Sequence, residues 1–197
     1  MVRSEEVIGF FDRLAPGWDA DMVRNEDVIA AILDNAQVRE GTDILDVACG
    51  TGVLIPDYLG RGVSSVTAID ISPRMVEIAR AKFPLPNVTV LCGDAEKMET
   101  DRQFDCIMVY NAFPHFADQE GLIRHLASML SPGGTLTVAH GMSREKVNTH
   151  HHGTSSGVSQ ELMPADELAV IFQTVLSVTA VISDSRMYLV TGKKCEV

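Results

Sequence analysis

The sequence predicts an α/β fold: a doubly wound, seven-stranded sheet, mostly parallel with one antiparallel strand, and helices on both faces. Three observations carry that prediction. Apolar runs of strand length alternate with helical patterns from Asp43 through His140, the signature of parallel strands joined by crossover helices. The first run leads into Gly50-Thr51-Gly52, a turn where backbone can approach a ligand closely. Near the carboxyl end, two more runs are joined only by Ser183-Asp184-Ser185-Arg186, and so short a turn implies an antiparallel pair.

Two helices precede the first strand. Val7, Phe10, Phe11 and Leu14 recur at helical spacing, and so do Ile29, Ile32, Leu33 and Ala36. Pro16-Gly17-Trp18 breaks the pattern between them. Phe11 suits core packing or a ligand equally, whereas Trp18, after the break and before acids, suits a mobile lid. Ile44, Leu45 and Val47 form the first strand, and Val53, Leu54, Tyr58 and Leu59 continue as a helix. Val66 to Asp70 is the second strand, followed by Ser72-Pro73, a helix cap with proline at the first helical position. Val88 to Cys92 and Phe104 to Tyr110 are the third and fourth.

Asp118 caps the helix carrying Leu122, Ile123, Leu126, Met129 and Leu130, and Ser131-Pro132-Gly133-Gly134 turns into a fifth strand, Thr135 to His140. Residues 141–163 are rich in Ser, Thr, Asn, Gly and His and read as a long polar loop, a feature that is usually functional or disordered. Pro164 to Glu167 opens a last helix with Leu168, Ile171 and Phe172, and Thr174 to Ile182 and Met187 to Thr191 complete the strands. Residues 1–197 therefore form one domain: a helical lid (1–40), a core (41–140), a polar loop (141–163) and a closing helix and strand pair (164–197).

Composition excludes several function classes. A chain of 197 residues is long enough to bury a substantial core. Its net charge of −11 leaves no basic face for nucleic acid. No apolar run approaches the ~20 residues of a membrane span. Met1-Val2-Arg3-Ser4-Glu5-Glu6 lacks an apolar signal core, which predicts a cytoplasmic protein. The four cysteines show no C-x-x-C spacing; Cys92 and Cys106 read as fillers of buried strands, and Cys49 sits in the glycine-rich turn.

The turn is not a dinucleotide loop. The third glycine of G-x-G-x-x-G would fall at Ile55. Asp46 ends the first strand, and a carboxylate there would repel a pyrophosphate at ~4 Å by about 4 kcal/mol at intermediate dielectric. The same carboxylate suits an ammonium or sulfonium group, which favours S-adenosylmethionine over NAD. Asp70 ends the second strand eighteen residues beyond Gly52, placed to bind two ribose hydroxyls. Asp94 follows the third strand and could accept from an adenine amino group; Asn111 follows the fourth. Four polar strand ends in succession lie at the edge where α/β sheets bind ligands.

Leu45-Asp46-Val47-Ala48-Cys49-Gly50-Thr51-Gly52, Ala68-Ile69-Asp70-Ile71-Ser72, Gly93-Asp94-Ala95 and Leu130 to Leu136 resemble the Rossmann-like class I S-adenosylmethionine-dependent methyltransferases. Phe10 to Asp19 resembles the amino-terminal F-D-x-x-A-x-x-[YW]-D pattern of their small-molecule branch, which includes quinone-biosynthesis enzymes. The resemblance covers roughly residues 8 to 140 and is specific for cofactor and fold, much less so for substrate. It implies methyl transfer to a small-molecule acceptor by direct displacement. The candidate cofactor-binding set is Phe11, Trp18, Asp46, Ala48, Cys49, Gly50, Thr51, Gly52, Asp70, Ile71, Met75, Gly93, Asp94, Ala95 and Asn111. Two alternatives stand beside it: a non-catalytic module that holds the cofactor, and a methyltransferase acting on a metal-bearing substrate. Oligomeric state is not readable.

Methyl transfer from a sulfonium needs alignment more than acid–base help, though a phenol, thiol or amine acceptor also has a proton to lose. His115 and His140 are the candidates for positioning or deprotonating it, because each follows or ends a strand. His150, His151 and His152 lie in the polar segment. They read as surface residues or as weak metal candidates, since imidazole suits several transition metals but no established ligand spacing accompanies them. His125, on the helix after Asp118, reads as solvent-facing.

Overall fold

The computed structural model describes residues 2–154 and 157–196, with the side chains of residues 151–154 outside the described set. Seven strands form one sheet in the order β3-β2-β1-β4-β5-β7-β6. They are β1 Asp43–Val47, β2 Ser65–Asp70, β3 Val88–Cys92, β4 Phe104–Tyr110, β5 Leu130–His140, β6 Ser177–Ser183 and β7 Tyr188–Lys193. Only β7 runs against its neighbours: it pairs antiparallel with both β5 and β6, and every other pairing is parallel. The predicted sheet, with one antiparallel strand beside an edge, is the sheet observed.

The chain winds outward from the centre in both directions. β1 leads to β2 and β3 on one side, and β4 leads to β5 on the other, so the order reverses between β1 and β4. A reversal opens a crevice at the carboxyl ends of the strands, because the two crossovers leave that edge in opposite directions. Side chains alternate across the sheet. Leu45, Val47, Ile107, Val109, Leu136 and Val138 pack one face, under helices α5 (Gln119–Ser128) and α7 (Ala165–Gln173). Ile44, Val66, Ala68, Cys106 and Met108 pack the other, under α2 (Glu26–Asn35), α3 (Ile55–Gly60) and α4 (Pro73–Lys82).

Helix starts follow local chemistry. Asn25, Ser72 and Asp118 accept from Val28, Met75 and Gly121 N–H at 3.2, 3.2 and 2.8 Å, satisfying amides that no helical carbonyl can reach. The first helix, α1 (Ser4–Leu14), has no side-chain cap but carries Glu5 and Glu6 in its first turn, where the helix dipole favours them.

Five expectations are corrected. Residues 144–154, expected in a loop, form helix α6 (Arg144–Thr154). Its inner face holds Val147, and polar contacts supply the rest: Arg144 Nε and Asn148 Nδ2 donate to the Leu162 carbonyl at 2.7 and 3.3 Å, and Leu162 N–H returns a 2.8 Å bond to Asn148 Oδ1. A helix held this way lacks the apolar stripe that periodicity detects. β5 begins at Leu130, since Ser131 to Gly134 continue the strand with a register shift opposite Phe104 and Cys106. β6 begins at Ser177, because Thr174 and Leu176 N–H still bond to Ile171 and Phe172 carbonyls of the helix end. Cys92 is exposed because β3 is an edge strand rather than a covered one. His125 is half-buried, with its Nε2 shielded from solvent.

Candidate active site

A cavity of about 620 Å³ opens at the carboxyl ends of the central strands, beneath α1 and the short turn Ala15–Gly17. Two residues beside it hold left-handed backbone without being glycine: Ala48, just after β1, at φ 56°, and Asn111, just after β4, at φ 54°. Such conformations cost roughly 1–3 kcal/mol and persist only where surroundings enforce them. Here they flank the crevice on both sides. Asn111 is held there by its Oδ1, which accepts from Gly141 N–H at 2.9 Å.

Of the fifteen candidate cofactor residues, all but Thr51 and Gly52 line the cavity. Thr51 is buried behind the wall and donates to Asp19 Oδ1 at 2.5 Å. Gly52 shapes the turn from outside: at φ 83°, a Cβ there would meet the Phe83 ring at 2.6 Å. Both support the loop without reaching the space it encloses.

Asp70 is 8% exposed, and each of its oxygens is tied to backbone. Oδ2 accepts from Gly50 N–H at 2.7 Å and Oδ1 from Ser72 N–H at 2.8 Å. Burial raises its pKa, the two amides oppose that, and Asp12 adds to the rise. One carboxylate thus fixes the glycine turn to the end of β2 while keeping lone pairs toward the cavity. Asp46 is buried as well. Burial pushes its pKa up to about 8, the Tyr58 hydroxyl pulls the other way, and the Asp70 carboxylate reinforces the rise. The Tyr58 hydroxyl is buried beside it, short of full hydrogen-bond alignment. Asp46 therefore faces the cavity with another acid as its charged neighbour, a setting that favours an incoming cation. Asp94 caps a 3₁₀ turn through Glu96 N–H at 3.0 Å and pairs with Lys97 at 2.7 Å. The Cys49 thiol is buried beside Asp46 and Asp70, its pKa well raised first by burial and then by those charges, so it stays unreactive.

The amino-terminal segment lies over the cavity and is tied down. Asp12 Oδ1 accepts from Ser72 Oγ at 2.6 Å and Arg74 N–H at 3.2 Å, and Asp19 pairs with Lys82 at 2.8 Å. Phe11 meets Trp18 and His115 edge-on, with ring centroids 5.7 and 5.0 Å apart.

His115, in the turn after β4, contacts the Val158 carbonyl through Nδ1 at 2.8 Å. A carbonyl can only accept, so Nδ1 carries the proton and Nε2 the lone pair. Burial lowers the ring's pKa, opposed by that same bond, which keeps the imidazole neutral at pH 7. Val158 is itself placed by nearby Gln160, whose backbone N–H and side-chain Nε2 donate to the Pro114 and Phe116 carbonyls, both at 2.8 Å. His140 is buried at the end of β5, edge-on to Tyr188 at 5.9 Å, and lines the cavity with His150 of α6. The side chains of His151 and His152 lie outside the described residues. Among the described residues no three His, Cys, Asp or Glu groups converge as a metal site, and no helix is long and apolar enough to cross a membrane.

Sequence reasoning did not place Arg24 and Tyr110, which line the cavity, the Val158 carbonyl against His115, or the lid aspartates Asp12 and Asp19. Asp12 and Asp19 were signalled by the F-D-x-x-A-x-x-[YW]-D resemblance; the others had no local signal.

A methyltransferase domain profile matches residues 44–134. Malonyl-[acyl-carrier protein] O-methyltransferase of Acetivibrio thermocellus is 35% identical over 129 residues, 64% of this chain and 46% of that protein. Ubiquinone biosynthesis O-methyltransferase of Coxiella burnetii is 32% identical over 143 residues, 68% of this chain and 61% of that protein. The chain spans about half the length of the curated relatives it matches first. Among solved structures, the N-methyltransferase NodS of Bradyrhizobium japonicum with S-adenosyl-l-homocysteine aligns with a TM-score of 0.77 at 16% identity, covering 96% of this chain and 98% of that one. The strand-end acids, the glycine turn and the sheet order fit these likenesses: residues 44–134 carry a methyltransferase domain, and the chain is similar to the class I S-adenosylmethionine-dependent methyltransferases.

Proposed function

We propose that the chain transfers a methyl group from S-adenosylmethionine to a small-molecule acceptor, with His115 taking the acceptor's proton. The observation that carries this is one cavity bounded by the buried acids Asp46 and Asp70 and by a neutral imidazole whose Nδ1–H is already committed. When bound, S-adenosylmethionine supplies a methyl group activated on a sulfonium. Asp70 accepts from ribose hydroxyls, Asp94 accepts from the adenine amino group, and Asp46 balances positive charge. Phe11 and Trp18 exclude water, and His115 Nε2 removes the proton. By their names the relatives act on malonyl-[acyl-carrier protein] and in ubiquinone biosynthesis, so the acceptor of this chain is not carried over from either.

Calorimetry with S-adenosylhomocysteine and NAD tests the cofactor, and labelled methyl transfer to phenols, quinols, thiols and amines tests the chemistry. Binding of NAD alone would sink the proposal.

Asp46 adds a proton-linked prediction. With a pKa of about 8 it is mostly protonated at pH 7 in the ligand-free protein. A cationic ligand stabilises the ionised form, so binding expels the proton and affinity rises up to about tenfold per pH unit from pH 6 to 8. Titrations in buffers of different ionisation enthalpy read nearly one proton released at pH 7, and Asp46→Asn abolishes it. Heats independent of buffer would refute this role. The ligand-free fold responds in the opposite sense. The folded state binds this proton more tightly than the unfolded chain, so between 3.8 and about 8 its contribution to stability falls as pH rises.

A further inference from the structure

Acidic side chains on the cavity wall far outnumber lysines and arginines. Asp21, Asp46, Asp70, Asp94 and Glu96 reach it, and among the described residues Arg24 is the one lysine or arginine that does. That guanidinium is already committed at every nitrogen. Nη1 donates to the Val53 carbonyl at 2.6 Å, and Nη2 donates to both Asp57 oxygens at 2.9 Å and to Glu26 at 3.0 Å. Nε donates to Glu26 at 2.9 Å. Two carboxylates thus cancel its charge before any ligand arrives. His115 contributes no charge either, since burial keeps it neutral.

Ser4, Tyr110, Asn111, His140 and His150 add polar groups without a fixed charge, and most of the remaining wall is apolar. Phe10, Phe11 and Met22 lie on it, and Leu14, Val23 and Met142 stand at its rim, 42%, 96% and 39% exposed. Large apolar side chains left open to water around a cavity mark a place where an apolar body docks. An anion entering the same space would lose its hydration with no uncommitted guanidinium or ammonium to replace it.

We propose that the acceptor is an uncharged, apolar ring compound bearing one weakly acidic hydroxyl, and that carboxylate- and phosphate-bearing acceptors are excluded. This deepens the methyltransferase reading and rests on it. The acceptor O–H bond breaks, its proton passes to His115 Nε2, and the oxygen takes the methyl group, while the electron pair of the broken carbon–sulfur bond stays on sulfur. Arg24 acts as a specificity residue through its neutralised state: Asp57 and Glu26 keep it from serving as an anion receptor.

The probes are 4-butylphenol and 4-butylbenzoate, alike in shape and apolar bulk and different in charge at pH 7.5. Calorimetry is run on full-length protein loaded with S-adenosylhomocysteine. The loading step stands apart: failure to bind S-adenosylhomocysteine overturns the methyltransferase reading and this inference with it. With loading intact, the phenol binds at least tenfold tighter than the benzoate. Equal or tighter benzoate binding, or no binding of either at millimolar concentration, overturns the inference and leaves the methyltransferase reading standing. In the double variant Asp57→Asn with Glu26→Gln the guanidinium loses both carboxylates, and benzoate binding strengthens at least fivefold with phenol binding unchanged; Glu26→Gln alone, at an exposed side chain, gives a smaller shift in the same direction if the double variant fails to fold. Benzoate affinity unchanged in a folded variant overturns the role of Arg24.

Discussion

Replacing His115 by alanine lowers turnover on a hydroxyl acceptor roughly 10²–10⁴-fold, the usual contribution of a positioned general base. The effect falls on kcat while S-adenosylhomocysteine affinity stays within about threefold, since Asp46 and Asp70 lie on other strand ends. The pH profile separates this role from packing. Burial holds the His115 pKa below its ordinary 6.5, so wild-type activity is flat through pH 7 and declines only in more acidic buffer, as the ring gains a proton and loses its lone pair. His115→Gln keeps much of the volume and a polar contact to Val158 but has no basic nitrogen; it loses turnover as the alanine variant does, together with the acidic limb. A glutamine variant with wild-type kcat and an unchanged acidic limb would remove His115 from the chemistry and leave it as a packing partner of Phe11.

Asp70→Ala produces the larger loss in cofactor binding. The carboxylate holds Gly50 N–H and Ser72 N–H as well as facing the cavity, so its removal frees the glycine turn and the start of α4 together. A charge-assisted bond is worth about 1.5–3 kcal/mol. Losing the ribose acceptor and the turn's anchor therefore lowers S-adenosylhomocysteine affinity at least ~100-fold, where each 1.4 kcal/mol is a factor of ten. Asp70→Asn retains an oxygen for one amide and loses less. Calorimetry on both variants, with melting curves to confirm folding, gives the ranking wild type, asparagine, alanine. Wild-type affinity in folded Asp70→Ala would separate Asp70 from the ribose and from control of the turn.

The dual use of Asp70 shows how far reading along the chain reaches. An acid eighteen residues after Gly52, at a strand end, was legible as a candidate ligand residue, and it lines the cavity. That the same oxygens also hold the Gly50 amide was not, because the contact joins β2 to the turn after β1 only once the two strands pair side by side. Thr51 and Gly52 show the converse. They belong to the motif by position, yet one points to Asp19 and the other sits against Phe83, behind the wall of the cavity. Helix α6 escaped detection because Arg144 and Asn148 hold it to Leu162 rather than an apolar stripe holding it to the core.

By itself the sequence determined the alternation of strand and helix, the antiparallel closing pair, the glycine turn and the acids at three successive strand ends. All of these are written in local terms: side-chain period, caps, and residues that permit or forbid a backbone angle. Tertiary structure alone decided which of those acids lose their water and how their pKa values move, and that Nδ1 of His115 is spent on a carbonyl 43 residues away. It also decided that Arg24 is neutralised by Asp57, 33 residues on, and that Asp12 and Asp19 fasten the amino-terminal segment to α4. The physical reason is that burial and electrostatics are set by every group within a few ångströms, whatever its place in the chain, and those neighbours exist only after the long loops have closed.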